Sequence, residues 1–172
     1  MMTGGLIFKV KEDITNEKIL ETLKRQVRSI PEPETFEFVL GATFHGVAIA
    51  RKENIIFVFG RDITHSCSFE PYEQSKLDER LEQLPGQPGI VCFLINSVSE
   101  TYALSLFLNG QRMAGKSAAD GVLVSDFSFG DKNLLNVPMN EDGILEFIKQ
   151  FSGCYLPDLT DDRETYVQTH FE

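Results

Sequence analysis

The chain has 172 residues, 42% hydrophobic and 10% aromatic, with a net charge of −10. A chain of this length buries about 70% of the surface its unfolded form exposes, so it needs no disulfide or metal to hold a core, and its composition excludes a disordered polymer. The charge is uneven: residues 1–60 carry eight Lys/Arg against eight Asp/Glu, residues 61–110 three against seven, and residues 111–172 five against eleven. With no positive stripe to displace phosphate counterions, nucleic acid is excluded as the expected partner, and so is an anionic membrane surface.

Residues 5–11 read as a first strand. A helix follows, with Thr15 as N-cap, Ile14 and Ile19 as a hydrophobic staple, and Ile19, Leu20, Leu23, Val27 and Ile30 at helical spacing. The Pro31–Glu34 segment ends it, because residues before proline avoid the helical region. Lys24, Arg25 and Arg28 alternate with Glu17 and Glu21 as a solvated face. Thr43–Ala50 and Ile55–Phe59 then flank Arg51–Asn54, which reads as a hairpin with a four-residue loop.

After the polar segment Arg61–Ser68 comes a helix at about 71–84, with Leu77, Leu81 and Leu84 on one face. Pro85–Gly89 breaks the chain. Ile90–Asn96 is apolar at almost every position and reads as a central strand. Thr101–Leu108 and Gln111–Ser117 form a hairpin about Asn109-Gly110, whose type I′ turn needs positive φ at both positions. Asp120-Gly121 makes another turn before a strand at Val122–Phe129. The last helix spans about 141–152, with Asn140 as cap and Gly153 at its C-terminus. Residues 154–172 are left open between strand and helix.

Short hairpins dominate, with no regular alternation of strand and helix. The expected fold is a single α+β domain over residues 1–172: a mainly antiparallel sheet of six to seven strands with two to three helices packed on one face.

Gly110-Gln-Arg-Met-Ala-Gly115-Lys116-Ser117 matches the phosphate-cradling pattern G-x-x-x-x-G-K-[ST] letter for letter. In that chemistry backbone N–H groups wrap the phosphates, the lysine reaches them, and the serine hydroxyl binds Mg²⁺. The pattern requires a helix to open at the lysine, yet Ser117–Val124 holds a glycine and β-branched residues. A hairpin is therefore the preferred reading. With a two-residue turn it sets Leu104 opposite Gly115 and Lys116 opposite Ala103, leaving Lys116 on the same face as Arg112 and Ser105.

Asp62, His65 and Cys67 share one polar loop and are candidates for a thiol nucleophile with its base and orienting acid, although members of such triads normally converge from separate segments. Zinc would need further ligands, His45 among them, and the required spacings are missing. Asp158, Asp161, Asp162 and Glu164 form the densest acidic patch and are candidates for contacting a partner. Thr160 capping a short helix also accounts for them. Cys67, Cys92 and Cys154 are widely spaced, so no disulfide framework is expected, and Cys92 reads as a small hydrophobe. Met1–Gly5 has no signal-peptide pattern and no segment reaches the roughly 20 apolar residues of a membrane span, so the expected location is cytoplasmic.

These features favour a non-enzymatic module that binds a protein partner or a copy of itself through its acidic surface, with no cofactor. The alternative is a nucleotide-binding or phosphotransfer protein using Gly110, Gly115, Lys116 and Ser117.

Overall fold

Several segments of the chain are apolar at successive positions, and the fold covers them from both sides. The structure is a computed structural model that describes residues 2–24, 32–34, 46–60, 76–160 and 166–170. The elements run β1 (Met2–Lys9), α1 (Asn16–Thr22), β2 (Glu32–Glu34), β3 (Val47–Lys52), β4 (Ile55–Phe59), α2 (Lys76–Leu81), β5 (Gly89–Asn96), β6 (Thr101–Leu108), β7 (Gln111–Ala119), β8 (Val122–Ser128) and α3 (Glu141–Ser152). A 3₁₀ turn (Leu156–Thr160) and β9 (Tyr166–His170) complete them.

The strands form one sheet in the order β2-β9-β3-β4-β1-β5-β6-β7-β8, with antiparallel neighbours throughout. The α+β class with an antiparallel sheet is thus as expected. All seven strands read from the sequence are present. The described residues add β9, from the segment left open, and β2, which lies in the proline-containing connection.

Helices lie on both faces of the sheet, where the sequence suggested one. Ile7, Phe57, Phe59, Val91, Phe93 and Ile95 cluster with Ile144, Leu145 and Ile148 of α3. Their alternating neighbours Leu6, Phe8, Ile56, Val58, Ile90 and Cys92 cluster with Ile19 and Leu20 of α1 and Leu77 and Leu81 of α2. Successive strand side chains point to opposite faces. A strand apolar at every position therefore needs cover on both, which makes three layers of helix, sheet and helix.

Local signals place the starts of α1 and α3, but α1 is shorter than expected. It ends at Thr22 with Leu23 as C-cap and Lys24 at φ 54°, while Val27 and Ile30 lie outside the described residues. Thr15 caps α1 by accepting a hydrogen bond from the Lys18 N–H, and Ile14 and Ile19 are both buried. Asn140 caps α3 by accepting from the Gly143 N–H, and Gly153 closes it in the left-handed region at φ 77°. Arg51 ties α1 to the sheet, donating from Nε to Asn16 Oδ1 at 2.9 Å and from a terminal nitrogen to the Ile14 carbonyl. The β3–β4 hairpin is tighter than expected: Lys52 pairs with Ile55, so Arg51 and Lys52 extend the strand and only Glu53 and Asn54 form the loop.

Cys92 is disulfide-bonded, which overturns its reading as a free, purely packing thiol. Cys154 is not disulfide-bonded. Disulfide connectivity follows from spatial approach, and three cysteines spaced far apart in sequence do not disclose it. No helix among the described residues is long and apolar enough to cross a membrane.

Candidate functional site

Strands β6, β7 and β8 form a meander at one end of the sheet, and the Walker-like string lies inside it. Gly110 follows Asn109 in the β6–β7 turn, at φ 77° and 53° respectively, as a type I′ turn demands. The remaining letters run along β7, which is paired with β6 on one side and β8 on the other. No helix opens at Lys116, so the segment lacks the strand–loop–helix arrangement that a phosphate cradle uses.

The register differs from the expected one by a residue. A bulge between Leu106 and Phe107 leaves Leu104 opposite Lys116 and Ala103 opposite Ser117. Met113 is the extra residue, and its carbonyl accepts from the Phe129 N–H at 2.8 Å. In a regular strand residues four apart share a face. Here the bulge turns Arg112 toward α2 and Lys116 toward the α3 side.

Each distinctive letter of the string has a structural role there. Lys116 donates to the Val137 carbonyl at 3.0 Å and sits 3.9 Å from Asp126, which faces it in β8. The Ser117 hydroxyl is hydrogen-bonded to that of Ser125 at 2.6 Å. At Gly115 a Cβ would meet the Phe127 ring at 2.4 Å, so glycine lets this edge-strand aromatic lie flat over β7. Arg112 makes a two-pronged ion pair with Asp78 of α2, at 2.9 Å and 2.6 Å, with its guanidinium over the Phe107 ring.

Among the described residues, strand β8 ends the sheet. Val122, Leu123 and Val124 are 65%, 52% and 63% exposed, and Phe129, just past the strand, is 59% exposed. A second register shift, between Ser117 and Ala118, pairs Ala118 with Leu123 and makes Val124 the extra residue. Three successive exposed apolar residues on a strand at the end of a sheet are unusual, because natural sheets guard such edges. The ionic groups around them are mainly acidic. Glu100 and Asp120 stand at the Val122 end, the Glu100 carboxylate lying close to Gly121. Asp126, 53% exposed, and Asp131 stand toward Phe129. Lys132 is the exposed cation beside them. Sequence reasoning missed this edge. Its signal was the unalternating Val-Leu-Val followed by Ser-Asp, which suits neither a one-face nor a fully buried strand.

The other sequence candidates are not drawn together by the described structure. Asp62, His65, Cys67 and His45 lie outside the described residues, as do Asp161, Asp162 and Glu164. Asp158 is exposed on the 3₁₀ turn. Thr160 ends that turn, its hydroxyl donating to the Pro157 carbonyl at 2.7 Å, where the sequence suggested a helix cap. A cavity of about 570 Å³ between α1 and α2 is lined by Lys18, Lys24 and Arg80 with Glu21 and Glu79. Lys18 pairs with Glu21 at 2.9 Å and Arg80 donates to the Leu23 carbonyl, so its charges are mixed and partly engaged. Among the described residues no group of three His, Cys, Asp or Glu could hold a metal.

No protein-family model, curated protein or solved structure matches this chain.

Proposed function

We propose that this protein is a non-enzymatic binding module that engages a protein partner through the exposed edge of β8 and the acidic surface around it. The observation that carries this reading is the run Val122–Val124, more than half exposed at every position on a strand that ends the sheet. Exposed apolar surface rimmed by polar groups marks interaction sites, and an open strand edge offers backbone N–H and C=O groups to another chain. The acidic excess of residues 111–172 sets the character of the rim.

The test is a paired capture experiment with tagged protein in lysate of the source cells. Wild-type protein should retain a defined set of partners that the Val122→Lys/Val124→Lys variant loses while keeping its circular dichroism spectrum. Identical sets from both proteins would refute the reading. The alternative, nucleotide binding through Gly110, Gly115, Lys116 and Ser117, calls for a stoichiometric adduct with Mg²⁺ and ATP or GTP that Lys116→Ala removes, which native mass spectrometry reads directly. Location belongs to the same proposal. The Cys92 disulfide counts against the expected cytoplasm, because such bonds persist mainly in oxidising compartments. Fractionation of the source cells decides it.

A further inference from the structure

We infer that the occupant of the β8 edge is an extended basic segment of another protein, with apolar residues at alternate positions, which extends the sheet by pairing with β8. This rests on the binding reading above and specifies its partner.

The geometry supplies the first half. An added strand pairs with the backbone of an edge while its alternate side chains reach the two faces. Leu123 stands opposite Ala118 and Val122 opposite Ala119, so these two side chains belong to opposite faces, and Val124 is the bulge residue between them and Ser125. Apolar cover is therefore needed on both sides of the edge. A segment alternating β-branched residues with Lys or Arg puts apolar side chains on one face and long aliphatic stems on the other, and so covers both.

Charge supplies the second half. Glu100 lies close to Gly121 at one end of the edge, Asp120 immediately precedes the strand and Asp131 follows Phe129. Asp126 within the strand is offset by Lys116, which is 16% exposed and also donates to the Val137 carbonyl. Against Glu100, Asp120 and Asp131 stands Lys132, so the named charges beside the edge are in acidic excess. A basic segment is attracted here and an acidic one repelled. The same field disfavours a second copy. Two antiparallel copies of this edge would bring the acidic flanks of both together, with −10 on each molecule. The bulge at Val124 adds a steric obstacle, since two rigid bulged edges must match whereas a flexible segment adapts.

The experiment uses the full chain and two labelled synthetic peptides, one alternating valine with lysine and the other valine with glutamate. Fluorescence anisotropy at about 50 mM and about 0.3 M NaCl should show the lysine peptide binding with roughly tenfold loss at the higher salt, and the glutamate peptide not binding. Hydrogen exchange should slow at Val122–Ser128, and N-methylation of alternate peptide amides should abolish binding. Asp120→Lys/Asp126→Lys should weaken the lysine peptide and Val122→Lys/Val124→Lys should remove it. Lysine-peptide binding that protects another surface, or that survives N-methylation, overturns strand addition while leaving the binding reading intact. A concentration-dependent dimer in sedimentation that Val122→Lys/Val124→Lys dissolves overturns the basic segment in favour of a second copy. A monomer that binds neither peptide overturns the inference, and the capture experiment then decides separately whether the binding reading survives.

Discussion

Arg112 and Asp78 show what a single residue contributes and what its identity in the sequence conceals. Their side chains are 8% and 10% exposed, so the pair is buried, and their separation of 34 positions along the chain makes it invisible to any reading of local pattern. Removing one partner of such a pair strands a buried charge. Asp78→Ala should cost about 3–5 kcal/mol in urea denaturation, and joint replacement by apolar residues of similar volume should cost much less. Gly115 carries a different constraint. Gly115→Ala drives a methyl group into the Phe127 ring and should destabilise by about 1–3 kcal/mol. Shortening the obstacle with Phe127→Ala should recover part of that loss, so a double-mutant cycle should give a clear coupling energy. An additive cycle would mean the ring moves away freely. Both glycines and the lysine of the Walker-like string are thus accounted for by a turn, a ring and a carbonyl, which sequence matching alone does not reveal.

At the scale of elements, α3 sets intrinsic preference against tertiary contact. Helix propensity favours Ala over Gly by about 1 kcal/mol, so Gly143→Ala would stabilise an isolated helix. In the folded chain the new Cβ would meet the Pro138 carbonyl oxygen at 2.2 Å, and the substitution should lower the melting temperature. Asn140→Ala should also destabilise, by about 1 kcal/mol, through loss of the hydrogen bond to the Gly143 N–H. The same measurement separates β8 from its neighbours. Val122→Lys/Val124→Lys should change stability by less than about 0.5 kcal/mol, because exposed positions contribute little packing. A large loss would mean these valines are structural. The Thr15 and Asn140 caps and the Asn109-Gly110 and Asp120-Gly121 turns were legible because each depends on two to four adjacent residues. The bulges in β7 and β8 were not, since they depend on the fit of one strand against another.

The whole molecule joins a disulfide at the buried Cys92 to three layers of structure. Peptide mass spectrometry after alkylation of the denatured protein should find Cys154 labelled and Cys92 protected until a reductant is added. Labelling of Cys92 without reductant would remove the disulfide from the account. Reduction should also lower the melting temperature, because the cross-link restricts the unfolded chain. The sequence by itself determined the class, the seven strands, the presence of three helices and the caps at Thr15, Asn140 and Gly153, because hydrophobic period, turn chemistry and capping act over a few residues. Only the tertiary structure decided the strand order, with β1 at the centre of the sheet and β8 at its edge, the placement of helices on both faces, the Arg112–Asp78 pair and the state of Cys92. The candidate binding edge belongs to that second group. Val122, Leu123 and Val124 look like core residues in the sequence, and they face solvent because no strand among the described residues follows β8 in the sheet.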